Sequence, residues 1–101
     1  MRLSIKDAAF IPGRGKVDCG HLIWSEECPI SFLRNLELNQ GYRGMCTVMD
    51  QERVAFSGPA LVKRRQHQGR DLLVFLLPDV DVGHLPPTAT VEMNPESLEH
   101  E

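Results

Sequence analysis

Residues 60–77 read Ala60-Leu61-Val62-Lys63-Arg64-Arg65-Gln66-His67-Gln68-Gly69-Arg70-Asp71-Leu72-Leu73-Val74-Phe75-Leu76-Leu77. Two short strand-like runs, 60–66 and 71–77, are separated by the turn signal Gln68-Gly69, so the segment reads as a β-hairpin. The second run is apolar at every position from Leu72 to Leu77, which predicts the most buried strand of the fold. The first run instead ends in charge. Lys63 and Arg65 share one face of the strand, Arg64 and Gln66 the other, and the tip must therefore be solvated.

The same punctuation extends in both directions. Residues 45–49, 53–57 and 88–93 are short and apolar or β-branched, and Gly41, Gly44, Asp50, Gly58-Pro59 and Pro78 break them up. Met1, Leu3 and Ile5 alternate with Arg2, Ser4 and Lys6, the period of a strand with one buried face. Pro12-Gly13-Arg14-Gly15 turns the chain before residues 16–24, and a hairpin is the simplest reading. In 30–38, Leu33 and Leu36 fit a helical stripe beginning at Pro29. Ile30, Phe32, Leu36 and Leu38 against Ser31, Asn35 and Glu37 fit strand alternation better, so a strand is expected there. Seven or so strands at this spacing mean an all-β fold, a small barrel or sandwich.

The chain has 101 residues, 42% of them apolar, which suits one domain over 1–95. The acidic tail 96–101 has little to bury and is expected to fray. A charged fraction of 25% and a net charge of −3 exclude the disordered class and a uniformly basic nucleic-acid binder. The charge is nevertheless polarised: residues 43–70 carry six basic and two acidic groups, whereas 71–101 carry none and seven. No apolar run approaches the roughly 20 residues of a membrane helix, and the opening lacks a signal-peptide apolar region, so a cytoplasmic location without membrane contact is expected. Three cysteines, an odd number, argue for reduced thiols rather than a disulfide framework. Nothing in the composition calls for a cofactor.

Ile5-Lys6-Asp7-Ala8-Ala9-Phe10-Ile11-Pro12-Gly13-Arg14-Gly15-Lys16-Val17-Asp18-Cys19-Gly20-His21-Leu22 resembles the opening of the second domain of translational GTPases such as elongation factor Tu. There a strand, the tetrapeptide Pro/Ser-Gly-Arg-Gly, a Val and a Gly follow in the same order. Residues 79–85 are similar to the turn before that barrel's last strand, and Gly41-Tyr42-Arg43 looks like a tripeptide of the family's third domain, also a β-barrel. The resemblance covers under a fifth of the chain and implies a six- to seven-stranded antiparallel barrel. In the family these barrels contact tRNA or partner domains, which implies a free-standing barrel with a binding role. The phosphate-binding G-x-x-x-x-G-K-[ST] loop is absent from this sequence, so no nucleotide hydrolysis is implied. The family's continuation after the first hairpin is replaced by residues 23–29.

The basic stretch is the most informative candidate site. Lys63, Arg64, Arg65 and Arg70, with Arg14 at the neighbouring glycine turn, could hold phosphates of RNA or a ribonucleoprotein; edge protection is the plainer use of a charged hairpin tip. Trp24, with Glu26 and Glu27 in the loop 25–29, forms a candidate protein contact or self-association surface, against a plainer role for Trp24 as a cap on the barrel end. Cys19, His21, Cys28 and Cys46 offer zinc-type ligands or a thiol nucleophile, but only Cys19 and His21 are near neighbours and no nucleophile elbow occurs. Small core residues are the stronger reading for the cysteines. The sequence therefore points to a non-enzymatic binding module for RNA, with a self-associating scaffold second and a zinc or thiol enzyme third.

Overall fold

The computed structural model of the chain describes residues 1–12 and 19–101. Among the described residues eight strands form in chain order: β1 (Arg2–Ser4), β2 (Asp7–Ile11), β3 (Gly20–Ser25), β4 (Gly41–Asp50), β5 (Arg53–His67), β6 (Arg70–Pro78), β7 (Thr90–Met93) and β8 (Glu99–His100), with one helix, α1 (Ile30–Asn35). They make a single sheet in the order β1-β7-β4-β5-β6-β3-β2, with every strand pair antiparallel and β8 added to β4. The two outermost strands are consecutive in sequence. Ile5 donates its N–H to Ala89 O (3.2 Å), on the β7 side, and Lys6 donates to Trp24 O (2.8 Å) on β3. The ends of the sheet are thus drawn together, and the sheet curls into a barrel-like wall around one core. The all-β reading holds.

Alternation along each strand decides what lies inside. Leu3, Ile23, Val48, Val62, Leu73, Phe75, Leu77 and Val91 are fully or almost fully buried. Val80, Val82 and Leu85, from the connection between β6 and β7, pack against them. The free edges of β1 and β2 are blunted by carboxylates: Ser4 N–H donates to Glu27 Oε2 (3.2 Å) and Ala8 N–H to Asp7 Oδ1 (2.8 Å). Such caps occupy donors that would otherwise recruit another strand.

Two sequence expectations are corrected in segment 30–38 and in the tail. Residues 30–35 form α1 rather than a strand: Phe32 and Leu33 donate to Pro29 O and Leu36 donates to Phe32 O. Phe32 and Leu36, four apart, enter the core, whereas Ile30 and Leu38, which alternation assigned inward, are 64% and 37% exposed. In so short an element packing, not periodicity, decides, because one turn that buries a phenyl ring outweighs a weak pattern. Residues 96–101 do not hang free. A 3-10 turn at Pro95–Ser97 leads into β8, whose Glu99 and His100 pair with Arg43 and Tyr42 along the β4 edge that β7 leaves at Cys46. Leu98 packs on the core beside them. The expected strands 53–57 and 60–66 are one, β5. Pro59 is tolerated because, among the described residues, β4 alone pairs with β5 at that register.

Among the described residues no helix is long and apolar enough to cross a membrane.

Phe32→Ala should lower unfolding free energy by about 3–5 kcal/mol in urea denaturation followed by far-UV circular dichroism. A loss below about 1 kcal/mol would show that α1 contributes little to the core.

Candidate functional site

The β5–β6 hairpin closes through Gln68 and Gly69, with φ of 52° and 77°, the two positive values that a two-residue turn matched to strand twist requires. His67 pairs with Arg70 across it. Pairing between β4 and β5 begins at Gly41–Lys63, so residues 64–67 run beyond β4 and the hairpin tip projects from the wall. All of residues 65–70 are exposed.

The strand alternation separates the four basic residues of this hairpin. Arg64 lies on the inner side with Val62. Its Nε donates to Asp71 Oδ1 at 2.9 Å and its Nη1 to Leu36 O at 3.2 Å, with side chains of Arg64 and Asp71 only 21% and 26% exposed. It ties the helix exit to the hairpin and is not free to hold a ligand. Lys63, Arg65 and Arg70 lie on the outer side. Among the described residues none of the three has a carboxylate within 4 Å. Arg14 lies outside the described residues.

Register places further groups on that outer side. One cross-strand row runs Asp7–Trp24–Val74–Lys63–Gly41 through β2, β3, β6, β5 and β4, and the next runs Ala9–Leu22–Leu76–Leu61–Arg43. Arg65 faces Leu72. Trp24 and Lys63 are two strand spacings apart, about 10 Å. Trp24 is therefore a half-buried ring on the wall, not a cap on the barrel end. A hollow of about 310 Å³ lies on this face, bordered by Ile11, Leu22, Leu61, Lys63, Arg65, Val74, Leu76 and Glu101. The β6 run expected to be the most buried strand is split in the same way: Leu73, Phe75 and Leu77 have no exposure, while Leu72 and Val74 remain half-exposed on the outer face.

The two acidic residues of the Trp24 loop are placed differently. Glu27 caps β1, and its own N–H donates to Ser25 Oγ (3.1 Å); Glu26 is exposed. Sequence reasoning missed Arg43 and the outward aliphatic residues. The available signal was the even-numbered half of Leu72–Leu77, apolar where a barrel's outer face is ordinarily wet.

The thiols and His21 do not converge. Among the described residues no three His, Cys, Asp or Glu side chains gather as a metal-holding group, and all three cysteines are free. Cys19 Sγ donates to Asp79 Oδ1 at 2.7 Å. That hydrogen bond, with burial and the Asp79 charge, pushes the Cys19 thiol up. His21 Nδ1 accepts the Val82 N–H at 3.3 Å, with Asp81 Oδ1 at 3.4 Å. Burial pushes Cys28 up, aided by the Asp71 charge, and pushes Cys46 up to about 12. Thiols shifted in this direction are poor nucleophiles at neutral pH.

Comparison with protein-family models, with curated proteins and with solved structures gives no match.

Arg64→Ala should cost about 1–2 kcal/mol of stability through the two lost charge-assisted hydrogen bonds. Lys63→Ala and Arg65→Ala should stay within about 0.5 kcal/mol; parallel urea curves test this, and equal losses at all three positions would contradict the division of faces. Cys46 favours its protonated form in the folded state, so its contribution makes stability fall as pH rises from about 9 towards about 12. Cys46→Ala should flatten that fall in unfolding curves measured between pH 8 and 10.5, and an unchanged slope would assign the pH dependence to other groups.

Proposed function

We propose that the protein is a non-enzymatic binding module that holds single-stranded RNA on the outer face of β3, β6 and β5. The observation that carries the reading is the row Trp24–Val74–Lys63, which sets an aromatic ring and a cation on one surface, with Arg65, Arg70 and Arg43 around it. Unpaired cations attract phosphates and release counterions, while a half-exposed ring gives a base a stacking partner. The likeness of residues 5–22 to the second domain of elongation factor Tu supports the same direction, since barrels of that family contact tRNA or partner domains. Arg64 stands outside the binding set because its guanidinium is already engaged.

Trp24 is the sole tryptophan, so its fluorescence reports on the face directly. Titration with a 12-nucleotide oligouridylate should quench it. Log K should fall against log salt with a slope of roughly −1.4 to −2, as two or three phosphate contacts require. The double variant Lys63→Glu, Arg65→Glu should lose binding by tenfold or more, while Arg64→Ala retains it within about twofold once stability is matched. Quenching that ignores both salt and the double variant would sink the RNA reading. A concentration-dependent, salt-insensitive association of the protein with itself would instead favour the outward leucines as a self-association surface.

A further inference from the structure

The binding face carries a group of the opposite sign from the protein's own chain. Glu101 borders the same hollow as Lys63 and Arg65, and borders a second hollow of about 340 Å³ beside Arg43 and Leu61. Its backbone is held in strand register, with Glu101 N–H donating to Gly41 O at 3.1 Å, directly after the β8 pairing of Glu99 with Arg43 and His100 with Tyr42. The Tyr42 and His100 rings, with centroids 4.5 Å apart, steady this segment. The Glu101 carboxylate lies over Gly41 where any side chain at that position would stand, and Gly41 is the cross-strand partner of Lys63.

Resting on the reading of this face as an RNA site, we infer that the segment Glu99–Glu101 is an internal competitor, a carboxylate strand laid beside the Lys63–Arg65 hollow that an incoming phosphate must displace. Its hold is weak by construction. Among the described residues no ion pair within 4 Å joins Glu101 to either cation, and β8 is two exposed residues long. A weak competitor lowers affinity without closing the site. It also raises selectivity, because a ligand must bring more than one anionic group to overcome it. The concentration of seven acidic and no basic residues in 71–101, facing a basic 43–70, thereby acquires a specific use at one point of contact.

The test uses the full chain and the same 12-nucleotide oligouridylate, read by Trp24 fluorescence at two salt concentrations. Glu101→Gln, which keeps the segment and neutralises the side chain bordering the hollow, should tighten binding about two- to fivefold at low salt, the range of an exposed charge interaction, with the gain shrinking at high salt. Gly41→Ala, whose methyl group would run into the Glu101 carboxylate, should give the same gain by displacing it. Glu96→Gln, in the same acidic stretch but away from the hollow, should leave affinity unchanged. Equal affinities for wild type, Glu101→Gln and Gly41→Ala, with binding still abolished by Lys63→Glu, Arg65→Glu, would overturn the competitor and leave the RNA site standing. Absence of binding in wild type and in Glu101→Gln would overturn both, whereas binding by Glu101→Gln alone would be its strongest support.

Discussion

The switch of hydrogen-bonding partner between Ile5 and Lys6 is the constraint on which the remaining architecture depends. One amide donates towards β7 and the next towards β3, so a single bent segment touches both ends of a seven-strand path. A sheet held in this way must curl, and curling defines an inside. Leu3, Ile23, Val62, Phe75 and Val91, from strands far apart in sequence, then share one interior with Phe32 of the helix. The two remaining edges, which a curled sheet leaves where its first strand bends, are blunted by Glu27 and Asp7. Their carboxylates occupy amide donors, a local device against association through strand edges.

Once inside and outside are defined, alternation distributes the charged side chains without further machinery. Consecutive residues Lys63, Arg64 and Arg65 have the same charge and different surroundings. Arg64 is drawn inward to Asp71 and the Leu36 carbonyl, where partial desolvation strengthens its hydrogen bonds, while its neighbours face water. The tightly turned hairpin carries Arg65 and Arg70 out beyond β4, while Lys63 stays in register with Gly41. On the outer face the apolar residues of β6, β5 and β3 border these charges. That surface sets aliphatic groups, one indole and several cations side by side.

The thiols and His21 illustrate the converse. Their residue types match a metal or nucleophile site, but the fold spends them separately: Cys46 in the core, Cys19 on Asp79, His21 on the Val82 amide. Raised thiol pKa values follow from burial and a neighbouring carboxylate, the reverse of the electropositive setting that makes a cysteine reactive. Proximity in sequence carried no information here, since the partners of Cys19 and His21 come from the connection after β6, about 60 residues away.

The amino-acid sequence by itself determined the all-β class, the 60–77 hairpin and its turn, the strand alternation at the N-terminus, and the opposite faces of Arg64 and its neighbours. These are period-two and turn-residue signals, expressed by local backbone geometry wherever the strand finally packs. Tertiary structure alone decided the helix at 30–35, because Phe32 and Leu36 gain more from one turn in the core than the alternating pattern of Ile30 and Leu38 could offer. It also decided that Gly58-Pro59 lies within a strand, since only the neighbours present at that register determine whether a missing N–H matters. The placement of Trp24 and Lys63 in one cross-strand row, and of Glu101 over Gly41, depends on which strands become neighbours. That is a property of strand order in the sheet, and no window of sequence contains it.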